Sequence, residues 1–213
     1  MSQQATNKYY ASVIGSAICW FALIFQLYLI LHNRTTSVCE TLMRYFTFYT
    51  ILTNLLVAIC FTAEVVHKNK RQSFFTKPSA LAATVVYISV VGVVYNVVLR
   101  FAWQPTGLQR VVDELLHLII PVYFILYWLI LVPKIKLKWS KLYSWLIYPA
   151  IYLVVVMIRG AFARYYPYPF VNVTALGYQK VTINCMFVLL AFLFFSFLII
   201  LISRSFVKRT LLP

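Results

Sequence analysis

The sequence predicts an all-α fold, an integral membrane bundle of six helices with the N-terminus and C-terminus cytoplasmic, and three observations carry that prediction. First, 63% of the 213 residues are hydrophobic and only 11% charged, with a mean hydropathy of +0.85. A soluble fold of this size would expose apolar patches large enough to drive association. The composition therefore excludes a soluble enzyme, a disordered chain and a secreted disulfide scaffold. Second, six runs approach the roughly 20 apolar residues that cross about 30 Å of hydrocarbon. Third, Lys and Arg gather in alternate connections, as they do in cytoplasmic loops.

The first run, residues 10 to 31, follows only Lys8, lacks an Ala-x-Ala cleavage site and is too long for the apolar core of a signal peptide, so it reads as a helix. The others cover residues 44 to 66, 79 to 101, 112 to 132, 142 to 164 and 181 to 203. Pro121 and Pro149 fall inside the fourth and fifth, where proline is expected to kink a helix and open space beside it. With short loops throughout, residues 1 to 213 read as a single transmembrane domain.

An inside N-terminus puts Lys8, then Lys68, Lys70, Arg71 and Lys77, then Lys134, Lys136, Lys138 and Lys141, then Arg204, Lys208 and Arg209 on the cytoplasmic side. Arg34, Arg44, Arg100, Arg110, Arg159, Arg164 and Lys180 fall on the outer side or the outer ends of helices. The net charge of +15 thus reads as orientation signals and contacts to anionic lipids, not as a nucleic-acid surface. Cys19, Cys39, Cys60 and Cys185 have no metal-ligand spacing and suggest no disulfide framework. No metal or cofactor is expected. A bis-histidine haem needs two ligands at matched depth, and only His117 lies firmly inside a predicted helix.

Polar groups inside hydrocarbon are costly and usually face the bundle interior, where they mark a site. Gln26, Thr47, Asn96, His117, Arg159 and Asn184 contribute one per helix, all within about 8 Å of the outer boundary at the helical rise per residue. Glu64 is the main exception, at the inner end of the second helix. In RYFTFYTILTN, residues 44 to 54, Thr47, Thr50 and Asn54 fall at i, i+3 and i+7, which is one face of a helix and is expected to point inward. Asp113 and Glu114 precede His117 by four and three residues, near its face. Either acid orients the imidazole or simply complements the helix dipole. Asn96 and Arg100 stand at i and i+4, and Arg159 lies about one turn below Arg164. The segment RYYPYPF, residues 164 to 170, presents Tyr168 between two prolines at the outer interface.

Taken together, RYFTF with Thr47, His117 near the start of the fourth helix, YPYPF before the last helix and Asn184 within it resemble the androgen-induced and androgen-dependent membrane hydrolases. The chain looks more like their small bacterial relatives, the Pr-six-Pr family. The resemblance implies a multipass hydrolase of the plasma membrane with Thr47 as nucleophile and His117 as its partner, acting on esters of the fatty-acid class. The chemistry is coherent on its own terms, because a threonine hydroxyl needs a base within hydrogen-bond reach and His117 is the candidate at the right depth. Asp113 is then the orienting acid, and Asn96, Asn184 or Arg159 the oxyanion donor. Thr50, Asn54, Gln26, Arg100 and Tyr168 are candidates for the substrate pocket. The expected partners are membrane lipids and a lipid-like ester, with no nucleic acid.

Two other functions fit the same ring. A small transporter needs a path across both leaflets, yet the inner half offers little beyond Glu64, Thr62 and Cys60. A ligand-binding or structural membrane protein would use the ring to join helices.

Overall fold

The computed structural model describes the backbone of residues 3–67 and 73–210 and the side chains through residue 207. The loop cations Lys68, Lys70 and Arg71 and the side chains of Lys208 and Arg209 lie outside the described residues. All regular structure among the described residues is helical: α1 Gln3–His32, α2 Val38–Thr47, α3 Tyr49–Val66, α4 Pro78–Val94, α5 Gly107–Glu114, α6 Ile120–Leu131, α7 Lys141–Ser144, α8 Ile147–Ala163 and α9 Val173–Thr210. A π-turn, Tyr95–Leu99, extends α4, and another, Leu115–Ile119, joins α5 to α6. These make six stretches long and apolar enough to cross a membrane.

The centre of the bundle is α4, which packs against α3, α6 and α9, while α1 lies along α3 and α6. Its apolar residues Leu81, Ala82, Val85, Val86 and Ile88 are almost wholly buried, so neighbouring helices approach from several sides. On α1, Gly15 admits the ring of Phe61 from α3: a Cβ there would stand 2.6 Å from the ring carbons. Phe61 in turn meets Phe124 and Tyr127 of α6 edge-on. Near the start of α1, Lys8 pairs with Glu64 of α3 at 2.7 Å, so the acid that stood apart from the expected polar ring is an inter-helix tie. Lys134 donates to the carbonyls of Trp128, Leu129 and Val132 and closes the C-terminus of α6. By contrast α8 is peripheral, with Val156 and Gly160 its buried residues.

Three expectations are corrected. The predicted second helix, 44 to 66, is two helices parted at Phe48, whose backbone is extended (φ −76°, ψ 124°). Pro149 stands in the first turn of α8, where its missing N–H costs nothing, so the break precedes it at Trp145 and Leu146. The last helix begins earlier and runs further than 181 to 203, with a kink at Gly177 (φ 74°). At a positive φ a side chain would be strained, and glycine is not.

Candidate active site

The site lies where the α2–α3 break, the two π-turns and the loop between α8 and α9 meet. Tyr152 of α8 holds the break from both ends: its hydroxyl donates to the Thr47 carbonyl at 2.9 Å and accepts from the Tyr49 amide at 3.2 Å. Tyr168 accepts from the next amide, that of Thr50, at 3.2 Å. Tyrosine hydroxyls from distant segments thus satisfy the first amides of α3, a duty usually left to a local cap.

The break decides what each threonine does. Thr47, in the last turn of α2, donates to the Met43 carbonyl at 2.6 Å. Thr62 and Thr84 do the same to the carbonyls four residues before them, at 2.7 and 3.0 Å, as threonines in helices commonly do. Thr50 is the second residue of α3, so the residue four places earlier belongs to α2 and faces elsewhere. Its Oγ1 instead lies 3.3 Å from His117 Nε2 and 3.3 Å from the Tyr168 hydroxyl.

His117 sits on the second π-turn. Its Nδ1 is 2.9 Å from the Asp113 carbonyl and 3.3 Å from Asp113 Oδ1. Both oxygens accept, so Nδ1 carries the proton and Nε2 presents a lone pair to the Thr50 hydroxyl. Tyr95 stacks on the imidazole at 3.8 Å and donates its hydroxyl to Asp113 Oδ2. With Thr50 donating to Nε2, the Tyr168 O–H is free to donate to Thr50 Oγ1. Burial raises the Tyr168 phenol above its ordinary value, which keeps it a donor.

Two asparagines fix the imidazole's helix. Pro121 has no N–H, so in either the α or the π register it leaves the carbonyl of His117 or Leu116 without that donor. Asn96 donates to the His117 carbonyl at 3.2 Å and Asn54 to the Leu116 carbonyl at 3.1 Å. Each also bonds its own helix, Asn96 at the Gly92 carbonyl and Asn54 at the Thr50 carbonyl. Asn54 thereby links the backbones that carry Thr50 and His117.

The structure therefore brings together Thr50, His117, Asp113 and Tyr168, and it does not bring Thr47 to them. The expected nucleophile is corrected: Thr47 is bonded to its own helix and faces a separate hollow with Arg159. The oxyanion assignments are corrected as well. Arg159 holds Glu40 at 2.9 and 3.1 Å, and Glu40 also accepts from Arg44 at 2.7 Å. Asn184 donates to the Phe170 carbonyl at 2.8 Å and pins the loop that carries Tyr168. Asn96 is spent on backbone carbonyls. The pocket assignments to Asn54 and Arg100 change likewise: Asn54 is fully buried below the dyad, and Arg100 pairs with Glu114 at 2.6 Å. Sequence reasoning overlooked Tyr95 and Tyr152; Tyr95 sits at i−1 to Asn96, the one signal that marked its turn.

Two cavities meet at this point. One, of about 350 Å³, is lined by Thr50, His117, Asp113, Tyr168, Gln26 and Trp103, among others. Gln26 accepts there from Gln109 at 2.8 Å. The second, of about 470 Å³, is apolar and shares Thr50, Tyr95, Leu99 and Tyr168 with the first. Comparison with protein families, with curated proteins and with solved structures returns no match to this chain.

Proposed function

We propose that the chain is an intramembrane lipid-ester hydrolase in which Thr50 is the nucleophile and His117 the general base. The observation that carries this reading is the 3.3 Å approach of Thr50 Oγ1 to His117 Nε2, with the opposite ring nitrogen held at Asp113. That is the nucleophile, base and orienting acid of a triad. Thr50 Oγ bonds to the ester carbonyl carbon while its proton passes to Nε2. The proton then goes to the leaving alcohol as its C–O bond breaks. Water repeats the steps on the acyl-threonine: it gives a proton to His117, attacks the carbonyl and releases the acid, and Thr50 recovers its proton. Tyr168 and the positive end of the α3 dipole are suited to hold the oxyanion.

In this reading the six apolar stretches span the plasma membrane of a bacterial cell, with both termini cytoplasmic and the site in the outer half. Water then reaches the ester from outside while its chains stay in hydrocarbon. The alternative of a ring that only joins helices has Asn96, Asn184 and Arg159 in its favour, since each is spent on such a tie. Thr50 separates the two readings, because its hydroxyl is turned to a base and not to its own helix.

Purified protein assayed with a fluorophosphonate probe and a panel of lipid esters tests the proposal. Thr50→Ala and His117→Ala are expected to lower turnover at least about 100-fold, whereas Thr47→Ala stays near wild type. A folded wild-type protein that neither labels nor hydrolyses any ester favours the helix-joining reading.

A further inference from the structure

The two cavities are not equivalent toward the dyad. Thr50 lines both, but His117 lines only the one that also holds Asp113 and Gln26. The group that takes a proton from His117 is the leaving alcohol, so the alcohol limb of an ester has to lie in the His117 cavity. The acyl limb then has the second cavity. Val90, Val91 and Val94 of α4 line that cavity together with Leu153 of α8 and Leu189 of α9. It also reaches the outside of the bundle: among its lining residues Ala150 of α8 and Thr182 and Met186 of α9 are exposed. Peripheral α8 forms one side of this opening, and its outward residues Ile151, Val154 and Ile158 are apolar.

Resting on the hydrolase reading, we infer that the apolar cavity is the acyl-chain site and that the seam between α8 and α9 at Ala150 and Met186 is a lateral entrance by which the chain comes from the bilayer. The volume of about 470 Å³ lies within the usual range for a small-molecule pocket. Its apolar lining offers a hydrocarbon chain contacts equivalent to those it leaves in lipid. The polar limb meets Gln26, Gln109 and Asp113 at the other end. Selectivity for acyl length therefore belongs to the α4, α8 and α9 residues, and selectivity for the alcohol to the His117 cavity.

The test uses the full chain in lipid vesicles with two para-nitrophenyl esters, the acetate and the laurate, and a lauroyl ester carrying a diazirine in its acyl chain. Ala150→Trp and, independently, Met186→Trp are expected to lower kcat/KM for laurate at least tenfold while acetate stays within twofold. Ile158→Trp, on the same helix but outside the cavity, leaves both unchanged. Photolysis is expected to join the diazirine chain to the segments holding Leu153, Cys185 and Leu189, and the Trp variants to abolish those adducts. Equal loss for both esters, or no loss for either, overturns the entrance. If the wild type hydrolyses neither ester, the hydrolase reading fails and the adducts decide: cavity adducts removed by Ala150→Trp support the chain site, and adducts confined to outward residues such as Ile151 overturn it.

Discussion

Thr50 owes its available hydroxyl to a break two residues before it. In a continuous helix its Oγ1 would be offered the carbonyl of Phe46, as Thr47 is offered that of Met43. With the chain extended at Phe48, the hydroxyl meets His117 and Tyr168 instead. The same paragraph of sequence offered Thr47, Thr50 and Asn54 as one stripe, and only the break tells them apart. It was not legible, because Phe48 is neither proline nor glycine and its support, Tyr152, lies 105 residues beyond Thr47. His117 with Asp113 was legible, since an i, i+4 pair needs only a local helix. Glu40, outside the spanning helices, is expected to give stability a pH dependence. Arg44 first, with Arg159, holds that carboxyl below the ordinary carboxylate range. Its pairing contributes stability above the unfolded value of about 4.3 and loses it as pH falls through the lower folded value. Melting midpoints of wild type and Glu40→Gln, compared between pH 7 and pH 3, should converge at the acid end. A constant gap contradicts the pairing.

At the scale of elements, the site depends on four departures from regular helix: the Phe48 break, two π-turns, and the loop after α8. α8 ends at Arg164 in a left-handed conformation (φ 50°), which turns the chain into RYYPYPF. Tyr166 of that loop lies on Gly160, where a Cβ would run into the ring. Gly160→Ala must therefore displace Tyr166 and, through Pro167, Tyr168. The expected cost is about 1–3 kcal/mol of stability, as for overpacking elsewhere, with loss of turnover exceeding that of an alanine at an exposed α8 position. A thermal melt and an ester assay on the same preparation check both; an unperturbed melt contradicts the packing. The six apolar stretches were readable from hydropathy because each is a local sum over about 20 residues. The second π-turn was not, since what supports it, Asn54 and Asn96 on carbonyls freed by Pro121, comes from other helices.

For the whole molecule, the cavity that holds Thr50, His117 and Asp113 lies toward one end of the bundle, while the other end is closed by Lys8 with Glu64 and by the carbonyl cap of Lys134. This asymmetry suits a site reached from one side and not a conduit through both. It also orients a labelling experiment: Cys39 is exposed beside the α2 N-terminus, whereas Cys19 and Cys60 are buried. A membrane-impermeant maleimide added to intact cells should label wild type and not Cys39→Ser, and labelling that requires permeabilised cells contradicts cytoplasmic termini. The charge pattern predicts that orientation, but composition held no trace of how the two cavities join at Thr50. The most direct measurement is to map the adduct of a fluorophosphonate or acyl probe by peptide mass spectrometry on the folded wild-type protein. Modification is expected at Thr50 and lost in Thr50→Ala and His117→Ala; modification at Thr47, or at Thr50 with His117→Ala unaffected, contradicts the Thr50–His117 pair.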